Sequence, residues 1–426
     1  MTQTVRQENS NGDTSDLRKV AQTLFAAAVQ RADPAQAVRR QLAASPLPTP
    51  KGRCFVLAVG KAAVPMMREA LRMLGDVHSA LVVTNPENYS AVRGATVLQG
   101  AHPMPDQTSA KAGAAVAAFL EQARTDDLVL ALVSGGGSAL MIAPLADVSV
   151  ADYGAMNALL LGSGLGINDV NLVRQQIDDL KGGGLLKHAH PADVHSFILS
   201  DVIGDDRCTI ASGPTVASIG TRQQAVSLIK SAGIWNRTPD SIKTHLQQPE
   251  PSIDLLQASN HLIGSNRHSL DAMLAATPEG YDARIVSDAL VGDVHFAAMD
   301  IVRAGLFAKR PTALIFGGET TVQIIGTGQG GRNQELALRV ALCAQGVLFD
   351  NWVFLSGGTD GRDGPTDAAG GLVDGGTLGR IVTAGGDLAR FLDNNDSYAA
   401  LALAGDLLVT GGTCTNVADV QVLLLS

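Results

Sequence analysis

The sequence predicts an α/β protein of two domains. Short apolar runs alternate with helical patterns along most of the chain, the rhythm of strand–helix–strand units whose strands run largely parallel with helices on both faces. At 426 residues the chain exceeds what one hydrophobic core usually organises. One polar stretch, 235–258, interrupts the rhythm and contains three prolines, which makes it the best boundary. No internal repeat or low-complexity tract stands out.

Residues 1–16 are polar and lack the apolar core of a signal peptide, so a disordered tail is expected there. Residues 15–31 follow as an amphipathic helix that Ser15 can cap, with Leu17, Val20, Leu24 and Val29 along one face. Strands are expected at 54–60, 80–84, 95–100, 127–133 and 196–201. Helices are expected at 62–74, 109–123, 150–161 and 169–181, the last stopped by Gly182-Gly183-Gly184. Beyond the boundary the strands are NHLIGS, 283–287, 312–318, TVQII (321–325), WVFLSGG, 407–412 and 420–425. Helices start near Arg267 and cover about 294–307 and 332–345.

Hydrophobic residues make up 46% of the chain and aromatics only 4%, so the core is aliphatic and rich in alanine. A net charge of −9 argues against general nucleic-acid binding, which needs a basic face. Cys54, Cys208, Cys343 and Cys414 are far apart and form no CxxC pair, which fits a reducing compartment. The apolar run at 128–133 is too short to span a membrane. The expected location is the cytoplasm. His188 and His190 lack further metal-type partners and read as a solvated loop.

The chemistry concentrates in glycine-rich turns that follow strands. From Gly317 to Gly371, thirteen of 55 residues are glycine, interspersed with Glu319, Arg332, Glu335, Asp360, Asp363 and Asp367. Glycine lets backbone N–H groups crowd round an anion, and acidic side chains in the same loops can hold a divalent cation. Lys61 opens a helix after a strand and a glycine, a placement suited to phosphate. It is not a Walker A lysine, since Phe55 and Ala62 break that pattern. Ser134-Gly135-Gly136-Gly137-Ser138 suits an anion cradle better than a nucleophilic serine, because Leu132 stands where the G-x-S-x-G elbow needs glycine. GTGQGG at 326–331 satisfies GxGxxG, with Asp350 downstream, so it is either a phosphate loop or a dinucleotide loop. Mg²⁺ usually takes only one or two protein carboxylates, so most of the aspartates at 201–206 and 360–367 must cap helices or fix turns.

Taken together, AVGKAA (58–63), VSGGGSAL (133–140), NLVRQQIDDLKGGGL (171–185), SDVIGDDRCTIASGPT (200–215), GGETTVQIIGTGQGGRNQE (317–335), GGTDGRDGPTDAAGG (357–371) and TGGTCTNVADV (410–420) resemble the class II glycerate kinases, whose C-terminal part is the MOFRL domain. The resemblance runs from about residue 17 to the end. It implies an N-terminal Rossmann-like domain at 17–245, a MOFRL-type α/β domain at 255–426, and an active site in the cleft between them. It also implies phosphorylation of D-glycerate to 2-phosphoglycerate with ATP and Mg²⁺. By motif, the site residues are Lys61, Asp201, Glu319, Arg332, Asp360 and Asn416. Two positions depart from the family's TGPTGTN: Gly412 and Cys414. Asp178 stands where a small polar residue is common.

On this reading Lys61 and Arg332 stabilise charge on the transferred phosphate, and Arg332 also suits a planar carboxylate. Neither lies on an apolar face, so the fold should tolerate their loss. Asp201 and Asp360 complete the catalytic set. Glu319 and Asp360 are the metal candidates, and base and metal ligand are not yet divided among the three carboxylates. Backbone N–H groups of 134–138 and of 326–331, with Gly328 and Gly330, cradle phosphates near Asn416. The partners are D-glycerate and ATP, with a homodimer possible. The rivals are an NAD(P)H-dependent hydroxypyruvate reductase and a non-catalytic sugar-acid or nucleotide-binding regulator.

Overall fold

The computed structural model describes residues 11–145, 147–249, 256–348 and 351–426. The chain divides into two compact units: Pro34–Gly264, and Met1–Asp33 with Ser265–Ser426. Most of the 250–258 end of the expected boundary, and Asp350, lie outside the described residues.

The unit Pro34–Gly264 is built on six strands: β1 (Cys54–Val59), β2 (Ser79–Thr84), β3 (Thr96–Gln99), β4 (Leu128–Val133), β5 (Asp193–Leu199) and β6 (Ser259–Gly264). All pairings are parallel, in the order β3-β2-β1-β4-β5-β6. Every residue of β4 is buried, as a central strand covered on both faces requires. Phe55, Leu57, Val59, Val129, Ala131 and Val133 pack with the helices Gln107–Leu120 and Gly184–Ala189 on one face. The helix Ala63–Leu74 lies against β1, β2 and β4 and buries Ala63, Val64, Met66, Met67 and Ala70. The chain runs from β1 outward to β3, then returns to place β4 on the other side of β1. The carboxyl ends of β1 and β4 therefore flank the point where strand order reverses, where ligands enter such sheets.

The helix expected at 169–181 is shorter, Ile167–Gln176. Asp178 accepts from Ala143 N (3.2 Å) and Leu180 N (3.0 Å), and its carboxylate holds the fully buried Lys181 (2.5 Å). Those bonds fix a turn where a further helical turn would have run.

The second unit carries β7 (Asp282–Asp293), β8 (Thr312–Thr321), β9 (Trp352–Gly358), β10 (Gly370–Asp374), β11 (Leu407–Leu408) and β12 (Asp419–Leu425). Their order is β11-β10-β9-β12-β8-β7. The helix-linked β7 and β8 are parallel, but every other pairing is antiparallel. The alternation of strands and helices thus continues here in a mostly antiparallel sheet. β12, the last strand, is inserted between β8 and β9 and runs against both. Alternation still holds: Leu314, Phe316, Phe354, Leu423 and Leu425 pack on the helices Val294–Leu306 and Arg332–Ala344, while Ala313, Ile315, Val353, Leu355, Val422 and Leu424 face the opposite way.

That opposite face is covered by the helices Asn266–Ala276 and Asn11–Ala32. The N-terminal helix, expected in the first domain, therefore belongs to the unit built from the C-terminal half. Residues 11–16, expected as tail, form its first turns, and 1–10 lie outside the described residues. Leu17, Leu24 and Phe25 enter this core, and Arg18 bonds to Asp374 (2.5 Å) and Asp406 (2.9 Å), which also share Arg380. The expected strand TVQII is absent: β8 ends at Thr321, and Ile324 and Ile325 are exposed. Strand β10, hidden in the glycine-rich GGLVD, was not expected. Among the described residues, no helix is long and apolar enough to cross a membrane.

Leu24 is fully buried in the core between the N-terminal helix and the sheet. Leu24→Ala should destabilise the second unit by about 2–5 kcal/mol, read as a lower urea midpoint, while exposed Lys19→Ala leaves the midpoint in place.

Candidate functional site

In the unit Pro34–Gly264 three strand ends supply the chemistry. β1 leads through Gly60 (φ +122) to Lys61, whose N–H donates to Gly135 O (2.9 Å). β4 leads to Ser134, whose hydroxyl accepts from Ala62 N (3.1 Å) and donates to Val59 O (3.2 Å). These bonds lock the two turns together, so Ser134 is a brace and not a nucleophile. β5 leads to Asp201, whose Oδ2 lies 1.8 Å from where a Cβ on Gly135 would stand. Gly136 takes φ +86, and a Cβ there would come within 3.2 Å of Lys61 Cγ and 3.4 Å of His102 Cδ2. Both glycines are needed because charged side chains lie directly on the loop.

Among the described residues no acceptor takes the N–H groups of Gly135, Gly136, Gly137 or Ser138. Four successive donors beside a lysine are the arrangement an anion cradle requires. Ser138 Oγ lies 2.8 Å from Ser212 Oγ, which bonds to Asn171 Oδ1 (2.8 Å) and fixes the far side of the loop. Ala211 (φ +51) and Ser212 (φ +60) hold left-handed conformations unusual for non-glycine residues. Desolvation pushes the Asp201 carboxyl above its ordinary range, with the Lys61 ammonium pulling the other way. His102 is held low by desolvation and then by Lys61. The sequence reading missed His102. It follows β3 by only three positions, and no glycine motif marks it.

In the second unit the first residue of the helix Arg332–Ala344 is the hub. Arg332 donates from Nε and Nη2 to the two oxygens of Asp419 (2.5 and 3.1 Å), and its Nη1 forms an ion pair with Glu319 (2.7 Å). Burial works against its charge, but the Asp419 and Glu319 carboxylates outweigh burial and raise its pKa. Asp419 is almost fully buried at the start of β12, opposite Gly318 of β8 and Gly358 of β9. A Cβ on Gly358 would stand 3.0 Å from Asp360 Oδ1 and 3.5 Å from Asp419 Oδ1, so Glu319, Arg332, Asp419 and Asp360 form one group. Asp360 Oδ1 also accepts from Arg362 N (3.0 Å). Asn416 Oδ1 accepts from Ala418 N (3.1 Å), a turn-fixing role. In the departing loop, exposed Cys414 takes φ +61.

Two expectations change. Asp419, overlooked in the sequence, is the buried partner of Arg332, so the fold is not indifferent to losing Arg332. Leaving a buried carboxylate unpaired typically costs roughly 3–5 kcal/mol. Four of the six N–H groups of the loop 326–331, those of Gly326 to Gln329, are taken within the chain. Ile325 N and Gly326 N donate to Asn395 Oδ1 (2.7 and 3.0 Å), Thr327 N to Asn394 Oδ1 (3.0 Å), Gly328 N to Asn394 O (2.8 Å) and Gln329 N to Asp396 Oδ1 (3.1 Å). Gly328 and Gly330 are small because Asp396 and Ser397 press on them. Other acids fix structure, as expected of most: Asp363 caps the Arg332–Ala344 helix, Asp206 accepts from Cys208 N (2.9 Å), and Asp367 accepts from Tyr398 (2.8 Å). His188 is no loop residue. It bridges Asp179 and Glu121, both at 2.9 Å, and Asp179 first, then Glu121, raises its pKa.

The likeness to known proteins follows both units. Residues 20–247 match the family described as "Domain of unknown function (DUF4147)", and residues 312–419 match the MOFRL family. Over 423 residues the chain is 37% identical to D-glycerate 2-kinase of Thermotoga maritima, spanning 97% of this chain and 99% of that one. The chain belongs to the MOFRL-containing glycerate 2-kinase family. Glycerate 2-kinase of Pyrococcus horikoshii is 36% identical over 440 residues, 96% of this chain and 98% of that one. The crystal structure of glycerate kinase from Thermotoga maritima superposes with a TM-score of 0.90 at 36% identity, covering 97% of this chain and 100% of that chain. A putative hydroxypyruvate reductase of Agrobacterium vitis is also 37% identical over 421 residues, 96% of this chain and 94% of that one. Names alone therefore do not separate kinase from reductase within the family.

Asp363 gives this region a pH signature. Burial pushes its carboxyl up to about 6, against the pull of the Gln334 and Asn333 backbone N–H groups. In the unfolded chain the group ionises near 4, so between roughly pH 4 and 6 the folded chain holds the extra proton. Stability from this group is present below that window and declines as pH rises through it. Asp363→Asn keeps an acceptor for the helix and cannot ionise. Relative to the variant, the wild-type melting temperature should fall from pH 4 to pH 6.5; parallel curves would contradict the assignment.

Proposed function

We propose that the chain is an ATP-dependent kinase that phosphorylates D-glycerate at the 2-hydroxyl, giving 2-phosphoglycerate and ADP. The observation that carries this reading is the set of unpaired N–H donors at Gly135–Ser138 beside Lys61 and Asp201. The relatives' names support the same chemistry. Phosphoryl transfer asks for positioning and charge neutralisation more than for covalent catalysis. The N–H groups and the Lys61 ammonium hold phosphate oxygens and stabilise charge on the transferred group. The 2-hydroxyl oxygen bonds to the γ-phosphorus as the bond to the ADP oxygen breaks. Asp201, with its raised affinity for a proton, receives the hydroxyl proton.

Arg332 has two of its five N–H donors committed to Asp419, with Glu319 paired at Nη1, which leaves donors on the terminal nitrogens for a substrate carboxylate or phosphate. The donors present suit Mg²⁺, a hard cation that takes one or two carboxylates and keeps phosphate oxygens and waters. Glu319, half exposed, and Asp360 would hold it, and when bound it would offset phosphate charge. The reductase alternative needs 326–331 as a dinucleotide loop. That loop spends the N–H groups of Gly326 to Gln329 on Asn394–Asp396, and ten residues, 322–331, separate β8 from the following helix, where a dinucleotide fold passes almost directly from strand to helix.

One experiment decides between the readings: ATP consumption with D-glycerate, run beside NADH and NADPH oxidation with hydroxypyruvate. Nicotinamide oxidation without glycerate-dependent ATP use would sink the kinase reading, as would a full rate in EDTA the metal role. Lys61→Ala should lower kcat by roughly 10²–10³ with the melting temperature unchanged. Arg332→Ala should lose both activity and stability, and the companion Arg332→Ala/Asp419→Asn should regain stability alone.

A further inference from the structure

We propose that Arg174 holds the carboxylate of the substrate, as a fork of two N–H groups tied to the Gly135–Ser138 loop. The assignment deepens the glycerate kinase reading and rests on it.

Arg174 lies on the helix Ile167–Gln176 and is half-buried. A guanidinium stays charged at any working pH, so burying it calls for an anion. Among the described residues no carboxylate forms an ion pair with it. Its hydrogen bonds go instead to two neutral amides, both almost fully buried. Nε and Nη2 donate to Asn157 Oδ1 (3.0 and 2.6 Å), and Nη1 donates to Asn171 Oδ1 (3.5 Å). These acceptors aim the guanidinium without neutralising it. Asp178 is already spent on the fully buried Lys181 (2.5 Å). Burial lowers the pKa of Lys181, and the Arg174 charge pushes it the same way. One carboxylate and two cations therefore share the region, and one positive charge is left over. Burial lowers the pKa of Arg174 too, whereas in Arg332 the carboxylates outweigh burial and raise it.

Two routes of contact tie this guanidinium to the anion loop. Asn171 Oδ1 also accepts from Ser212 Oγ (2.8 Å), which lies 2.8 Å from Ser138 Oγ at the end of the loop. Asn157 Nδ2 donates to Met104 Sδ (3.7 Å), two residues past His102, whose Cδ2 lies 3.4 Å from where a Cβ on Gly136 would stand. Both routes leave the loop and meet at Arg174. Three of its five N–H donors are committed, which leaves one on each terminal nitrogen without an acceptor among the described residues. Two parallel N–H groups match the two oxygens of a carboxylate. A short hydroxy acid gripped there has one end fixed, which restricts where its hydroxyl can meet a phosphate on the loop. Arg332 also has donors left, but two carboxylates of its own chain already match its charge.

The test compares D-glycerate with D-glyceramide, an amide in place of the carboxylate, on the full chain. Calorimetric titration of D-glycerate should show binding that Arg174→Gln weakens by roughly 10²-fold, and Arg174→Lys, which keeps the charge but loses the fork, by roughly tenfold. The preference for the acid over the amide should fall by the same factors, both in binding and as a ratio of kcat/KM, with the KM for ATP and the melting temperature retained. Arg174→Lys is read alone should Arg174→Gln fail to fold. An equal loss for acid and amide means that Arg174 only braces Asn157 and Asn171, and overturns the proposal. So does a wild type that binds the two alike, or a preference lost in Arg332→Ala/Asp419→Asn and kept in Arg174→Gln. A wild type that binds D-glycerate without consuming ATP sinks the kinase reading alone, and the calorimetric comparison still decides for or against Arg174.

Discussion

The second unit is organised by one ion pair, Arg332 with Asp419. Asp419 begins the last strand, and that strand lies between β8 and β9, running against both. Its first residue therefore arrives at the carboxyl ends of two strands that come much earlier in the chain. A carboxylate buried there needs a fixed, hydrogen-bonded cation. Arg332 supplies it in bidentate form from the first turn of the helix after β8. The pair thus ties together a helix start, two strand ends and the C-terminal strand. Glu319 and Asp360 are positioned around it, one through the third guanidinium nitrogen and the other across the bare Cα of Gly358. Asp363 completes the arrangement by capping the helix that carries Arg332.

The unit Pro34–Gly264 was legible in the sequence because its rules are local. Buried parallel strands read as unbroken apolar runs, and each is followed by its glycine turn, so Lys61, Ser134–Ser138 and Asp201 could be placed at strand ends before any coordinates. The other unit was less legible for a physical reason. Nothing local in VADVQVLLL says that this strand lies between β8 and β9 or runs antiparallel to them. A parallel placement would send Asp419 to the opposite end of the sheet. The N-terminal helix was misassigned for the same reason: its apolar stripe shows that it packs, not against what. TVQII looked like a strand by composition, yet β8 had already spent its pairing length, and Ile324 and Ile325 ended on the surface.

The two glycine loops show why composition cannot fix function. SGGGSA and GTGQGG both follow a strand region and open a helix. In the first, the loop closes in three residues and its N–H groups meet no acceptor from the chain. In the second, the loop is long enough for the segment Asn394–Asp396 to lie along it and take the N–H groups of Gly326 to Gln329 in turn. Asn395 sits at φ +51 to do so, and its amide also reaches Glu335 (3.1 Å), one turn into the Arg332 helix. The second loop's glycines are there for close approach of protein to protein. They steady the helix that carries the guanidinium.

This division also bears on charge. Around Gly358 one guanidinium is paired with Glu319 and Asp419, and Asp360 lies beside the same glycine, so these four side chains sum formally to one minus three, or −2. A polyphosphate approaching that group meets like charge at short range, which costs several kcal/mol when desolvated. In the unit Pro34–Gly264 the balance is different. Lys61 and four N–H groups stand against one carboxyl whose affinity for a proton is already raised. The acidic group can take part in phosphate chemistry only with a cation to offset it, and its two more accessible carboxylates, Glu319 and Asp360, are the ones not locked to Arg332 in bidentate form. If that group takes part, a need for a divalent cation would follow from burying Asp419 beside them: the guanidinium that could otherwise meet the phosphate is largely consumed in holding the strand.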